Sequence, residues 1–498
     1  MSQKLLIANR GEIAIRIARA AAELDIKTVA IYSSDDARSL HVARADQACL
    51  LSGAGVAPYL DGEQIIAQAL AANCTAIHPG YGFLSENAEF ARRCAAAGIV
   101  FVGPRPELLE LFGDKVQARN LAQRCGVPLV KGSSSAVDLA QAQAFFADLK
   151  PGAAMLIKAL AGGGGRGMRA VFRAADIDSA FTRCQSEARN AFGNDAVYVE
   201  EMLPRARHVE VQIIGDDAGQ LVQVGERECS LQRRHQKLIE IAPSPSLSTD
   251  LRARIIDAAL SMAETVRYNS LGTFEFLVRD IDGEPSDEFV FIEANPRLQV
   301  EHTVTEAVTG IDLVKTQIEL ALGASLAELN LSQAEIPAAR GYALQLRINM
   351  ETMNATGNAM PAGGLLTAFE PPVGPGVRVD TFGYAGYRTS VDFDSLLAKL
   401  IVHSPAHDFA AAVGRAYRAL AEFRVEGVAT NIGFLQNLLA LPSVRANRVY
   451  TRFIEQEYAL AVAAVAPSHR QLYFAAEPAA VNSVVDLSQS IEVPSGTQ

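Results

Sequence analysis

The sequence has no excess of positive charge: over 498 residues its formal net charge is −11. A general nucleic-acid binder neutralises phosphates with a surplus of lysine and arginine, so no nucleic-acid partner is expected. Local anion sites need only a few placed cations and stay open. Cysteine is scarce as well. Cys49, Cys74, Cys94, Cys125, Cys184 and Cys229 show no C-x-x-C spacing, which argues against a disulfide framework or a structural zinc and for free thiols in a reducing compartment. Long apolar runs are missing. The most apolar stretch near the C-terminus, Ala459–Pro467, is far too short to span a membrane. The opening MSQKLLIANRGEIAIR breaks at Asn9 and Arg10 instead of forming a signal-peptide core. A cytoplasmic protein without a membrane partner is expected. Two nucleotide-loop signatures are absent too. Asn9-Arg10-Gly11-Glu12 lacks G-x-G-x-x-G and reads as a strand-to-helix turn, and no G-K-[ST] follows the glycine-rich segment further on.

What is present belongs to a globular chain, 49% apolar and 20% charged, long enough for two to four domains. Leu5–Ala8, Thr28–Tyr32, Ala76-Ile77 and Val100–Val102 read as strands alternating with helical segments such as Asn87–Ala97. That alternation predicts a doubly wound parallel sheet over roughly the first 110 residues. His78-Pro79-Gly80-Tyr81-Gly82 reads as a structural turn. Met155–Leu160 and Met168–Phe172 flank Gly162-Gly163-Gly164-Gly165-Arg166-Gly167. Strand, glycine loop, strand is a hairpin whose tip can bring backbone N–H groups to a phosphate and close as a lid; the competing reading is a flexible linker. Arg207–Ile214 alternates, with His208, Glu210 and Gln212 on one face. The cationic run Glu226–Lys237 reads first as a solvated face and second as an anion site. Ser248–Arg267 has helical periodicity.

The densest chemistry lies in Phe289–Glu306, FVFIEANPRLQVEHTVTE. An apolar strand leads into Glu293, Asn295, Arg297, Gln299 and Glu301, which share one face if the extended form continues. A solvated strand face is the bland reading, but the apolar lead-in argues for burial, and buried charges need partners. Thr273–Val278 forms the other arm of an antiparallel pair in which Glu275 and Glu293 can meet. Two carboxylates so placed repel unless protonated or bridged by a cation, and hard oxygen ligands suit Mg²⁺ or Mn²⁺ held with a phosphate. From Gly341 a β-rich unit begins, with Arg347 inside its first strand, Tyr342–Asn349, where it requires an anionic partner. After about residue 456 the chain reads as a linker-like tail.

Lys115, Lys158, the loop Gly162–Gly167, Arg207-His208-Val209-Glu210, the run Gln232-Arg233-Arg234-His235-Gln236-Lys237 and the run from Glu293 to His302 together resemble biotin carboxylase, the ATP-grasp component of biotin-dependent carboxylases such as acetyl-CoA, propionyl-CoA or pyruvate carboxylase. The resemblance runs from Lys4 to about Tyr450, and its RRHQK and RLQVEH motifs are long and specific. It implies an α/β and α+β multidomain fold. Residues 1–113 would form an N-terminal doubly wound domain and 114–340 an ATP-grasp domain with a lid at about 131–204. Residues 341–450 would form a β-rich C-terminal domain, and 456–498 the tail. It implies an ATP-dependent C–N ligase that carboxylates biotin, with bicarbonate and two Mg²⁺ or Mn²⁺ ions.

The same resemblance implies site roles. Lys115, Lys158, Gly163, Gly164, Gly165, Glu200, Leu203, His208, Gln232 and His235 would hold ATP. Glu275, Glu293 and Asn295 would hold the metals against it. Lys237, Arg297, Gln299 and Val300 would bind bicarbonate. Glu301 would be the base that prepares bicarbonate, and Arg347 would stabilise the biotin enolate. Glu201 departs from the lysine many members carry in the adenine-side hinge. No Met-Lys-Met acceptor motif is present, so a biotin carboxyl carrier protein or domain and a carboxyltransferase are implied partners, with a homodimer possible. Two alternatives are an ATP-grasp ligase activating another carboxylate as an acyl phosphate, and a non-catalytic nucleotide-binding regulator.

Overall fold

The computed structural model describes residues 3–133, 135–150, 152–160, 167–281, 283–353, 358–457 and 471–473. At the N-terminus lies the expected all-parallel sheet. Its five strands run in the order Gln47–Leu50, Lys27–Tyr32, Lys4–Ile7, Ala76–His78, Val100–Phe101. The order reverses between Lys4–Ile7 and Ala76–His78, and ligand crevices in such sheets open beyond the carboxyl ends of the strands at that point. The two turns there are tied together, since Asn9 Nδ2 donates to the carbonyls of Pro79 (2.6 Å) and Tyr81 (2.8 Å). Gly80, with φ +65°, is required at this crossing, because a Cβ would lie 2.9 Å from Asn9 Nδ2. His78 is buried and accepts from the Gly80 amide (3.0 Å), a structural turn as the sequence predicts.

An eight-stranded antiparallel sheet dominates the remainder. Its order is Glu284–Asn295, Ser270–Ile281, Ala206–Gly215, Leu221–Arg233, Gln236–Ala242, Tyr342–Asn349, Leu396–Ser404, Val377–Thr381. Strand alternation gives it two unlike faces. On one, Val209, Val211, Phe274 and Phe276 pack against the helix Thr249–Thr265, and Leu344, Leu346, Leu400 and Val402 pack against Phe409–Glu422 and Ile432–Ala440. The other face is polar and lies against the helix His302–Thr309. Strand Gln236–Ala242 pairs directly with Tyr342–Asn349, so the β-rich stretch after Gly341 extends this sheet instead of building a separate one. A three-stranded sheet, Met168–Val171, Ala154–Ala159, Val197–Met202, carries the helices Leu139–Ala147 and Ile177–Phe192. The glycine loop between its first two strands in sequence falls mostly outside the described residues, so Gly163, Gly164 and Gly165 have no described position.

Two expectations are corrected. The extended form does not continue through Glu301. The strand ends at Asn295, because Pro296 offers no N–H for a further ladder bond, and the Arg297 amide turns back to the Asn295 carbonyl (2.9 Å). Gln299–Glu301 then form the turn into the helix His302–Thr309. The polar side chains thus converge at a strand–turn–helix corner. The cationic run Glu226–Lys237 is not a solvated face either. It is a hairpin in which Arg227 and Arg233 are buried, and Arg234 and His235, both with positive φ, make the exposed tip.

Candidate active site

Strand register builds the first half of the site. Glu275 lies directly opposite Glu293 on one side and Glu210 on the other, so three carboxylates form a row across three strands. Like charges in such a row repel, and the surrounding donors answer them. His208 Nε2 lies 2.5 Å from Glu275 Oε2 while Gln232 Nε2 meets His208 Nδ1 at 3.3 Å, which places the imidazole hydrogen on Nε2, toward the carboxylate. Asn295 Nδ2 (2.6 Å) and Gln299 Nε2 (3.0 Å) donate to Glu275 Oε1. Arg297 spans the corner, donating to Gln299 Oε1 (2.7 Å), Asn295 Oδ1 (3.2 Å) and Glu86 Oε1 (2.5 Å).

Lys237 joins this row to the turn. Its Nζ lies 2.6 Å from Glu210, 3.3 Å from Glu275 and 2.5 Å from Glu301. On the other side of Glu301, Arg347 Nη2 bonds Oε2 at 3.1 Å, and the same guanidinium holds Glu240 (2.5 Å). Burial opposes the charge of Glu301, but Lys237, Arg347 and Arg227 hold it below the ordinary glutamate value against Glu210. It is therefore ionised and able to accept a proton. Burial likewise opposes Lys237, yet the three glutamates around it raise it well above an ordinary lysine. Cys229 itself is pushed well up by burial and stays a thiol. Burial raises Glu240, only partly countered by Arg347.

The oxygen-rich row fits a hard divalent cation. Glu275 and Glu293 face one another with Asn295 adjacent, and both carboxylates are held below the ordinary value; burial opposes this, Lys237 leads the lowering at Glu275 and Lys115 at Glu293. Ligand atoms of His208, Glu210 and Glu275 also lie within 4.8 Å of one another.

Other expected residues sit at the rim. Lys115, at the start of the helix Lys115–Arg124, approaches Glu293 at 3.8 Å. Lys158 and Glu200, one strand apart on the same face, are ion-paired to each other, and Arg119 reaches Glu200 at 3.6 Å. Leu203 follows the strand Val197–Met202, half-buried, and His235 stands at the exposed hairpin tip, apart from the carboxylate cluster. Val300 contributes its carbonyl, which accepts from Lys399 at 3.2 Å.

Sequence reasoning missed several members. Arg227 holds Glu210 at 2.5 Å and also donates to Gln212 and Thr305 (2.9 Å each). Glu240 partners Arg347, and Lys399 pairs with Glu12 at 3.0 Å. The signal for Lys399 was a lysine inside an apolar strand.

Three family models cover this chain: "Biotin carboxylase, N-terminal domain" over residues 1–109, "Carbamoyl-phosphate synthase L chain, ATP binding domain" over 114–329, and "Biotin carboxylase C-terminal domain" over 345–456. A biotin carboxylase of Nostoc sp. is 46% identical over 455 residues, covering 91% of this chain and 98% of that protein. The chain belongs to the biotin carboxylase family. A pyruvate carboxylase of Staphylococcus aureus is 48% identical over 460 residues, again 91% of this chain but 39% of the larger protein. The chain thus spans about two-fifths of that relative's length. Among solved structures, the biotin carboxylase domain dimer of Hydrogenobacter thermophilus 2-oxoglutarate carboxylase, in complex with MgADP, ADP and bicarbonate, superposes with a TM-score of 0.86. It is 38% identical, covering 92% of this chain and 98% of that one. Among the described residues no helix is long and apolar enough to cross a membrane, and the six cysteines are free.

Proposed function

We propose that this chain carries out the first half-reaction of a biotin-dependent carboxylase, the ATP- and bicarbonate-dependent carboxylation of biotin through carboxyphosphate. The biotin is carried on a biotin carboxyl carrier protein or domain, and a carboxyltransferase subunit or domain passes the carboxyl group on. The observation that carries the reading is Glu301, a buried, ionised carboxylate fixed between Lys237 (2.5 Å) and Arg347 (3.1 Å).

Bicarbonate is a planar anion matched by a guanidinium with an ammonium beside it. Arg297, Lys237, Gln299 and the Val300 backbone hold it, and Glu301 takes its proton as its oxygen attacks the γ-phosphate. ADP leaves and carboxyphosphate forms. Lys115, Lys158, His208, Gln232 and His235 position the nucleotide with Glu200, Leu203 and the glycine loop. Glu275, Glu293 and Asn295 would hold Mg²⁺ or Mn²⁺, which would neutralise the phosphate charge. Such phosphoryl transfer depends on positioning and charge more than on covalent catalysis. Carboxyphosphate then breaks its bond to phosphate to give CO₂, the released phosphate takes the proton of the biotin ureido nitrogen, and that nitrogen bonds the CO₂. The enolate oxygen formed on the way faces Arg347, a fixed cation needing no reorganisation.

The test is ADP release with biotin, bicarbonate and Mg²⁺ each omitted in turn. ADP release that requires bicarbonate and Mg²⁺, is slow without biotin and is strongly stimulated by it, with carboxybiotin as product, is expected. ADP release indifferent to bicarbonate but stimulated by another carboxylate would sink the reading in favour of an acyl-phosphate ligase.

A further inference from the structure

Lys399 lies in the middle of the strand Leu396–Ser404 and is fully buried, at 0% exposure. Its neighbours Ala398 and Leu400 point into the apolar core; Lys399 points the other way, onto the polar face beside the site. There its Nζ meets Glu12 Oε1 at 3.0 Å, the Val300 carbonyl at 3.2 Å and Asp380 at 3.8 Å. Asp380 is also held by both arms of Arg378 (3.0 and 2.7 Å), so it keeps a cationic partner when Lys399 is lost. Glu12 Oε1 also accepts the Tyr81 hydroxyl, and the Tyr81 ring centroid is 6.0 Å from the ammonium. Lys399 thus joins the switch point of the N-terminal sheet to the turn that carries Glu301.

A buried lysine costs free energy that an apolar residue of similar size avoids, and here it stands directly opposite another cation, Arg347. That arrangement makes no sense as core filling. Its product is a fixed backbone: the carbonyl it binds belongs to the peptide leading into Glu301. The Glu301 carboxylate is clamped between Lys237 and Arg347, and its main chain is held by Lys399.

Building on the biotin carboxylase reading, we infer that Lys399 is a positioning residue for the reaction, its ammonium fixing the Val300–Glu301 peptide and anchoring Glu12 beneath Tyr81 so that the base is set for proton transfer. Its partners Glu12, Asp380 and the Val300 carbonyl include none of the residues assigned to the nucleotide, so its loss acts on turnover and not on nucleotide binding.

The test uses the whole chain and three variants: Lys399→Met, Lys399→Met combined with Glu12→Gln, and Lys399→Arg. The double variant leaves no unpaired buried charge, and the amide oxygen it introduces in place of the Glu12 carboxylate still accepts the Tyr81 hydroxyl. Thermal melting, affinity for a non-hydrolysable ATP analogue, and kcat and KM for bicarbonate-dependent ADP release are measured on each. The double variant is expected to regain the melting temperature lost in Lys399→Met and to bind the analogue within about twofold of wild type. Its kcat stays lower by about tenfold, roughly 1.4 kcal/mol of transition-state stabilisation, and Lys399→Arg recovers most of that loss. A double variant whose kcat returns with its melting temperature overturns the inference, as does analogue binding that falls in step with kcat. If wild type itself shows no bicarbonate-dependent turnover, it is the biotin carboxylase reading that fails.

Discussion

Arg347 and Lys399 are direct cross-strand partners, two cations side by side on the polar face of the large sheet. Each is neutralised by its own acids, Arg347 by Glu240 and Glu301 and Lys399 by Glu12 and Asp380. Glu301 therefore sits at the junction of two charge systems, one reaching the carboxylate row through Lys237 and one reaching the N-terminal sheet through Lys399.

Arg347→Ala is expected to cut biotin-dependent turnover by about 10²–10³-fold, the range for removing one fixed donor from a developing oxyanion. Slow bicarbonate-dependent ATP cleavage without biotin should persist, because Lys237 and Arg297 remain. Comparing ADP release with and without biotin checks this. Equal losses in both would show that Arg347 serves the first step as well. The fold should survive, since Glu240, already raised by burial, can be left protonated.

Much of this was legible in the sequence, and the failures have specific causes. The Glu275–Glu293 pairing followed from two alternating strands and a polar connection, and the register confirms that they are opposite one another. An arginine inside Tyr342–Asn349 signalled a buried anion, and Glu240 and Glu301 supply it. Leu396–Ser404 carries the same signal in Lys399, a charge inside an otherwise apolar strand. Glu240 and Glu12 gave no local sign, because their partners lie 107 and 387 residues away in sequence (240 to 347, 12 to 399). The corner at Pro296 is hidden in the sequence because alternating polar residues continue past the proline, and periodicity does not register a missing N–H.

Glu301→Gln should lower kcat by about 10²–10⁴-fold, the usual loss with a general base, with nucleotide affinity little changed. It should also alter the acid limb of stability. Glu210, Glu275, Glu293 and Glu301 all titrate below the ordinary value when folded; burial opposes this in each, and the neighbouring cations outweigh it. A carboxylate depressed on folding adds stability above its unfolded value, about 4.3, and loses it as pH falls through the folded value. Urea melts from pH 6 down to about 3 should show a shallower decline for Glu301→Gln than for wild type. Parallel declines would contradict the assignment.

Glu293→Gln and Asn295→Ala address the metal. If these residues hold Mg²⁺ with Glu275, each should raise the Mg²⁺ concentration needed for half-maximal ADP release by about tenfold or more, about 1.4 kcal/mol. Chelation with EDTA should abolish turnover in wild type. Titrating Mg²⁺ at saturating ATP and bicarbonate gives the measurement. An unchanged Mg²⁺ requirement in both variants would move the ion toward the alternative cluster of His208, Glu210 and Glu275.

Arg207 supplies a test of the scaffold without touching the chemistry. It is wholly buried and pairs with Glu228 at 2.9 Å while donating to the carbonyls of Gly283 (2.8 Å) and Asn447 (2.7 Å). One guanidinium thus ties the start of strand Ala206–Gly215 to the hairpin turn after Ile281 and to the segment near the C-terminal helix Phe453–Gln456. Replacing it with methionine keeps most of the volume but leaves buried Glu228 with only the neutral donors of Ser230, Ser244 and Asn447 and leaves two carbonyls away from water. Breaking a buried pair by removing one partner costs about 3–5 kcal/mol. Arg207→Met should lower stability by that amount in urea unfolding, while Arg207→Met with Glu228→Gln should recover a large part. A single variant as stable as wild type would mean that water or a shifted side chain satisfies Glu228, and that this tie does not hold the sheet to the C-terminal segment.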